Sequence, residues 1–139
     1  MFIHQYALTI GWGDCDPTGT VFYPRYFGMF DAATALLLEA ASGMSRAALI
    51  RHYGIVGWPM VDMRAVFHAT ASLGDHILIE SRVTRLGRSS FDIDHRLLRG
   101  DTLCVEAAEA RVWAARAEEQ GPIEASPLPD ELRHALERS

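Results

Sequence analysis

One turn carries the residue types that could do chemistry. The run Gly13-Asp14-Cys15-Asp16-Pro17-Thr18-Gly19-Thr20-Val21-Phe22-Tyr23-Pro24-Arg25-Tyr26 places a carboxylate, Asp16, among residues that favour tight turns. Pro24 suits the first turn of a helix, because its missing N–H would have no helical partner there. A carboxylate thus stands a few residues ahead of a helix N-terminus, whose free N–H groups and positive dipole end can stabilise a developing oxyanion. One turn would supply both a nucleophile or base and an electrophilic clamp. Asp-Pro and Thr-Gly are also common turn formers, and the local sequence alone reads first as a turn with no chemical role.

Other chemistries lack their residues. The six histidines, at 4, 52, 68, 76, 95 and 134, form no His-x-x-x-His or His-x-His pair, so no metal site is expected. Cys15 and Cys104 are too few and too far apart for a disulfide framework or a thiolate zinc site. No Gly-x-Ser-x-Gly elbow and no Gly-x-Gly-x-x-Gly after a strand occurs. All 13 basic residues are arginine, which removes Schiff-base lysine chemistry and a P-loop lysine. With 18 carboxylates the formal charge is -5, which argues against nucleic acid as a partner.

The elements that must position Asp16 follow from periodicity. Tyr6, Leu8, Ile10 and Trp12 alternate as one face of a half-buried strand. Arg25 to Ala41 reads as a helix whose Tyr26, Phe27, Phe30, Ala33, Thr34, Leu37, Leu38 and Ala41 form a broad apolar face. Gly43 is a C-terminal stop, and Ser45 caps a second helix through about Tyr53. Val61–Ala71, Ile77–Leu86, Phe91–Leu98 and Leu103–Ala115 are successive strands with short links, which favour antiparallel neighbours in a meander. Pro129-Asp130-Glu131 begins a final helix. With 139 residues the chain has room for one domain, 1–139, of α+β class: an antiparallel sheet covering one very apolar helix. The start lacks a secretory signal, and the apolar stretch Ala32 to Leu38 is far too short to span a bilayer. A cytoplasmic protein with no membrane partner is expected.

The segment Asp14 to Tyr26, with Asp31-Ala32-Ala33, Gly54-Ile55-Val56-Gly57 and Ser89-Ser90-Phe91, resembles the 4-hydroxybenzoyl-CoA thioesterase family of hot-dog folds. The resemblance covers most of the chain. It implies a sheet wrapped around the long central helix, and a homo-oligomer, dimer or tetramer, whose subunits pair through their sheets with active sites at the interfaces. It implies that Asp16 attacks a thioester carbonyl as nucleophile or acts as general base on water, and that the Tyr23 backbone N–H polarises that carbonyl. Asp31 and a backbone group at Trp58 match positions that hold the hydroxyl of an aromatic acyl group. From the residues alone, Asp31 also reads as a helix-face carboxylate reaching solvent or Arg25. Trp58, larger than its usual counterpart, would narrow the ring pocket or stack on the ring. Thr20 and Arg25 also depart from the family's pattern.

Coenzyme A needs a local basic site. Residues 82–100 carry +3, five arginines against Asp92 and Asp94, and are the only positive stretch. Arg88, Ser89 and Arg85 on the predicted hairpin match the family's nucleotide-binding region, and Arg82 stands near them. Arg82 and Arg85 read equally as a solvated row. The expected function is hydrolysis of a hydroxybenzoyl-type CoA thioester to free acid and CoA, with no cofactor. An aliphatic acyl-CoA thioesterase and a non-catalytic acyl-CoA binding module are the alternatives.

Overall fold

The apolar spacing of residues 25–41 produces the helix it predicts. In the computed structural model, which describes residues 1–138, α1 spans Pro24–Ser42. Gly43 closes it at φ 73°, a left-handed conformation suited to glycine, with its N–H on the Glu39 carbonyl. Tyr26, Phe30, Ala33, Thr34, Leu37 and Leu38 are all buried, so the helix is covered along its length. α2, Arg46–Tyr53, follows, its N-terminus capped by Ser45 Oγ accepting from the Ala48 N–H.

One five-stranded antiparallel sheet packs on α1. Its strands are β1 (Ile3–Thr9), β2 (Met60–Phe67), β3 (His76–Leu86), β4 (Ser90–Arg99) and β5 (Thr102–Val112), in the order β1-β3-β4-β5-β2. Period-two alternation turns Ile77, Ile79, Ser81 and Val83 of β3, and Phe91, Ile93, His95 and Leu97 of β4, into the core. Two polar residues, Ser81 and His95, therefore lie in an otherwise apolar row. A two-stranded ribbon, β6 (Ala114–Ala115) with β7 (Glu124–Ala125), leads to α3 (Asp130–Glu137), which buries Leu132 and Leu136 beside Leu37, Leu38 and Trp113. Among the described residues no single helix is long and apolar enough to cross a membrane.

The expected meander fails at β2. The free edge of β3 is taken by β1, with Ile3 opposite Arg82 and Thr9 opposite His76, so β2 pairs instead with the far side of β5. Residues 68–75 must then cross the end of the sheet. For the same reason β2 stops at Phe67 instead of Ala71: the N–H groups of His68 and Ala69 both turn to the Cys104 carbonyl. β1 also ends early, and Trp12 is 65% exposed in a 3-10 turn, Trp12–Asp14, outside the buried stripe.

This crossing is tied to the Asp16 turn. Val21 N–H donates to the Ala71 carbonyl, Leu73 N–H to the Gly19 carbonyl, and Thr20 bridges Ser72. The buried Ala71 N–H donates to Tyr26 Oη at 3.1 Å, fastening the crossing to the first turn of α1. Tyr26→Phe keeps the ring but leaves that amide without a partner, which costs about 1–3 kcal/mol. Urea denaturation should show that loss at unchanged m-value, and an unshifted midpoint would mean that the Tyr26 hydroxyl does not hold the crossing.

Candidate active site

The turn folds Asp16 back toward the start of α1. Cys15 bridges Val21, Asp16 N–H donates to the Thr20 carbonyl at 3.0 Å, and Phe22 N–H donates to the Asp14 carbonyl at 2.8 Å. Gly19, at φ 83°, makes the reversal, and its N–H donates to the Asp16 carbonyl. The next residue after this ladder is Tyr23, the N-cap of α1. Among the described residues the Tyr23 N–H has no acceptor, so it is one of the free donors that a helix start leaves over.

Asp16 has a defined polarity. Its Oδ1 accepts from both the Thr18 hydroxyl and the Thr18 N–H, the latter at 2.9 Å. These bonds, the hydroxyl's first, hold the carboxyl below its ordinary value and keep it ionised. Oδ2 has no partner among the described residues and is the oxygen left for chemistry. The neighbouring carboxylate is spoken for: Asp14 accepts from the Gly11 N–H at 3.0 Å and pairs with Arg25 at 3.1 Å. Arg25 is therefore not the partner of Asp31.

That partner is Arg111. Its Nη1 lies 2.9 Å from Asp31 Oδ1 and donates to the Trp58 carbonyl at 3.2 Å, so one guanidinium joins the two positions expected to hold the acyl hydroxyl. Its Nε and Nη2 donate to the two oxygens of Glu109 at 3.0 and 3.2 Å. Glu109 also accepts from Thr34 Oγ1 at 2.5 Å and lies 3.5 Å from His95 Nε2. Since the Thr34 hydroxyl gives its proton to Glu109, it accepts from His95 Nε2, 3.2 Å away, and His95 Nδ1 is hydrogen-bonded to the Ser81 hydroxyl at 2.7 Å. Burial pushes the Glu109 carboxyl up, but hydrogen bonds from His95, Arg111 and Thr34, with the Arg111 charge, outweigh it and hold the carboxyl at about 2.

Sequence reasoning missed Arg111, Glu109, His95 and Ser81, and it placed Thr34 only in the apolar helix face. A signal existed. Glu109 and Arg111 share the inward period of β5 with Val105, Ala107 and Trp113, and charges at core positions demand partners.

Trp58 differs from expectation in its side chain. The indole is 2% exposed, stacked on Trp113 at 6.0 Å between centroids, with the Arg46 guanidinium 5.1 Å from its ring centre. It is packed in the core and does not offer a face for stacking on an acyl ring. Its backbone N–H has no acceptor among the described residues.

The arginines of the β3–β4 hairpin divide. Arg82 lies on the outer sheet face opposite Ile3 and Asp94. Arg85 is held by Asp92 at 2.8 and 3.1 Å and by Ser90 Oγ at 3.0 Å. Its fold over the turn requires glycine at 87, where a Cβ would come within 2.8 Å of Arg85 Nη1 and 2.6 Å of Ser90 Oγ. Arg88 is exposed and its side chain has no partner among the described residues. The backbone beneath it is fixed: Leu128 N–H donates to the Arg88 carbonyl, Trp113 N–H to the Ser89 carbonyl, and Arg133 Nη2 to the Gly87 carbonyl at 2.6 Å. Arg133 is a further residue that the sequence reading did not single out. Among the described residues no group of three His, Cys, Asp or Glu is placed to hold a metal ion.

Known proteins resemble this chain in sequence and in fold. The model of the thioesterase-like superfamily matches residues 10–136. The chain is 37% identical over 111 residues to the 4-hydroxybenzoyl-CoA thioesterase of Pseudomonas sp. strain CBS-3, covering 76% of this chain and 78% of that one. It is 26% identical over 134 residues to the 1,4-dihydroxy-2-naphthoyl-CoA hydrolase of Synechococcus elongatus, covering 96% and 95%. A crystal structure of a 4-hydroxybenzoyl-CoA thioesterase mutant complexed with 4-hydroxybenzoyl-CoA superposes with a TM-score of 0.89 at 29% identity, over 98% of this chain and 99% of that one. A family match across nearly the whole chain, on a hot-dog fold shared with thioester hydrolases, establishes that this chain is an enzyme belonging to the thioesterase-like superfamily.

Proposed function

We propose that the protein hydrolyses a hydroxylated aromatic acyl-CoA thioester to the free acid and CoA. The observation that carries this reading is a carboxylate with one free oxygen, Asp16 Oδ2, folded back to a helix start whose Tyr23 N–H is unpaired. The N–H group and the positive end of α1 polarise the thioester carbonyl. Asp16 Oδ2 then either attacks the carbonyl carbon, expelling the CoA thiolate and leaving an anhydride that water opens, or takes a proton from water as that water attacks. A thiolate is a good leaving group, so carbonyl activation by backbone donors suffices. Aromatic selectivity is supported by relatives named for hydroxybenzoyl and dihydroxynaphthoyl esters and by Asp31, a carboxylate acceptor beside the Trp58 backbone.

The same reading takes the protein as a homo-oligomer, dimer or tetramer, joined through the sheets. Two features support a second copy as the occupant of the sheet surface. β2 is an edge strand with Val61, Val66 and Phe67 exposed. The outer face holds a groove of about 780 Å³ in which Arg64, Arg82 and Arg96 are balanced by Glu80, Asp94 and Glu106. Arg88, unpaired on its fixed hairpin, is the candidate cation for a CoA phosphate, with Ser89 beside it. Arg85 contributes by holding the turn through Asp92.

Asp16→Asn should abolish thiol release from 4-hydroxybenzoyl-CoA while circular dichroism stays native; turnover like the wild type would remove Asp16 from the mechanism. Benzoyl-CoA and butyryl-CoA assayed beside it separate the aromatic from the aliphatic reading, and tight binding without thiol release would favour a binding module. Thr18→Val removes a hydrogen bond that depresses the Asp16 carboxyl, so its pKa should rise back toward the ordinary value. The acid limb of the kcat/KM profile should shift to higher pH, and an unmoved limb would mean that another group titrates. Arg88→Ala should raise KM for the CoA ester several-fold but leave that for the pantetheine ester, which lacks the nucleotide phosphates. Equal effects on both would sink the phosphate assignment.

A further inference from the structure

We infer that Arg111 is a positioning residue that sets the preference for hydroxylated over unsubstituted aromatic acyl groups by fixing the Asp31 carboxylate. This rests on the reading of Asp31 as the acceptor of the acyl hydroxyl. The Asp31 side chain is 49% exposed, and a carboxylate so placed on a helix surface ordinarily samples several rotamers. Arg111, only 6% exposed, holds Oδ1 and leaves Oδ2 without a partner among the described residues, free to accept from a ligand.

Arg111 can do this because it cannot itself move. Its Nε and Nη2 are bound to Glu109 and its Nη1 also to the Trp58 carbonyl. Glu109 is anchored in turn by Thr34 on α1 and by His95 on β4, which is tied to Ser81 on β3. The orientation of one carboxylate therefore derives from a helix and three strands. Such an arrangement is organised before the ligand arrives, and binding need not order it.

The donor inventory also decides which ring substituent fits. Nε, both Nη1 contacts and Nη2 are directed at protein oxygens, so Arg111 offers little to an anionic substituent, which would meet the Asp31 charge. A neutral hydroxyl, which donates to Oδ2, matches; a ring carboxylate does not. The recognised class is a phenolic acyl group.

The test is the ratio of kcat/KM for 4-hydroxybenzoyl-CoA over benzoyl-CoA in the full-length protein. Asp31→Ala and Arg111→Gln should each lower that ratio about tenfold to a hundredfold, the range for a buried hydrogen bond to a charged group. Arg111→Gln added to Asp31→Ala should leave the ratio where Asp31→Ala put it, and Arg111→Lys should restore part of the wild-type value. A purely structural Arg111 would lower turnover of both esters alike and keep the ratio. If Arg111→Gln fails to fold because Glu109 loses its countercharge, the Glu109→Gln, Arg111→Gln pair carries the same comparison. A ratio preserved without Arg111 but lost in Asp31→Ala overturns the inference alone. A ratio preserved in Asp31→Ala overturns hydroxyl recognition by Asp31, and the inference with it.

Discussion

A carboxylate buried between the long helix and the sheet must be satisfied, and its satisfaction fixes how the two layers meet. Glu109 is fully covered, and its oxygens accept from Thr34 and Arg111 and face His95. Asp31 and Thr34, one turn apart on α1, meet Arg111 and Glu109, two residues apart on β5. A slip of one residue along β5 would bring the outward-facing alanines 108 and 110 inward, turn Glu109 and Arg111 to the outer face and leave the buried Thr34 and His95 without their carboxylate. The desolvation cost of such a cluster offsets much of its Coulomb gain, so its effect is felt in register more than in net stability. The apolar row of α1 would tolerate several sliding arrangements on a sheet of Ile, Val and Leu, and this cluster selects one.

The Asp16 turn is held from the other end of the sheet. Because β1 occupies the edge of β3, the link from β2 must travel across the sheet end, and its backbone groups find partners in residues 19–21. A topological necessity thereby becomes support for the site. Thr18 adds a local compromise: its two bonds to Asp16 Oδ1 lower the basicity of the carboxylate but secure its ionised form and turn Oδ2 outward. In the proposed reaction, with the carbonyl activated by backbone donors, a weakly basic but ionised oxygen suffices as nucleophile or as general base.

What was legible in the sequence was local. Pro24, Gly43 and Ser45 marked helix ends by chemistry within a few residues, and the Asp16 turn declared itself through Asp, Pro, Thr and Gly. The place of β2 was not legible, since it depends on β1 claiming an edge far along the chain. Nor was the partner of Asp31: Arg25 lies closer in sequence, but its head group meets Asp14, and Arg111 comes from the last long strand. Counting charges over residues 82–100 also overstated the free cations. The β-bulge between Val83 and Arg85 sets Arg85 opposite Asp92, which takes up its charge, and the arginines left unpaired on that hairpin among the described residues are Arg88 at the turn and Arg82 on the outer sheet face.

Both ends of the proposed acyl site belong to the same helix. The Tyr23 N–H stands at the start of α1 and Asp31 lies eight residues further, about 12 Å along the axis at 1.5 Å per residue. That span suits two hydrogen bonds with an aromatic acyl group between them, one at the thioester carbonyl and one at the ring hydroxyl. A helix does not stretch, so the spacing is set by residue count and is insensitive to loop motion. What a helix does not set is the direction in which a carboxylate on its surface points, and the buried Arg111 provides that direction. On the proposed reading, length selection by α1 and aim by β5 are separate determinants of substrate choice. An aliphatic chain would engage the first donor and leave the second contact unmade, with Asp31 and Arg111 still bound to each other.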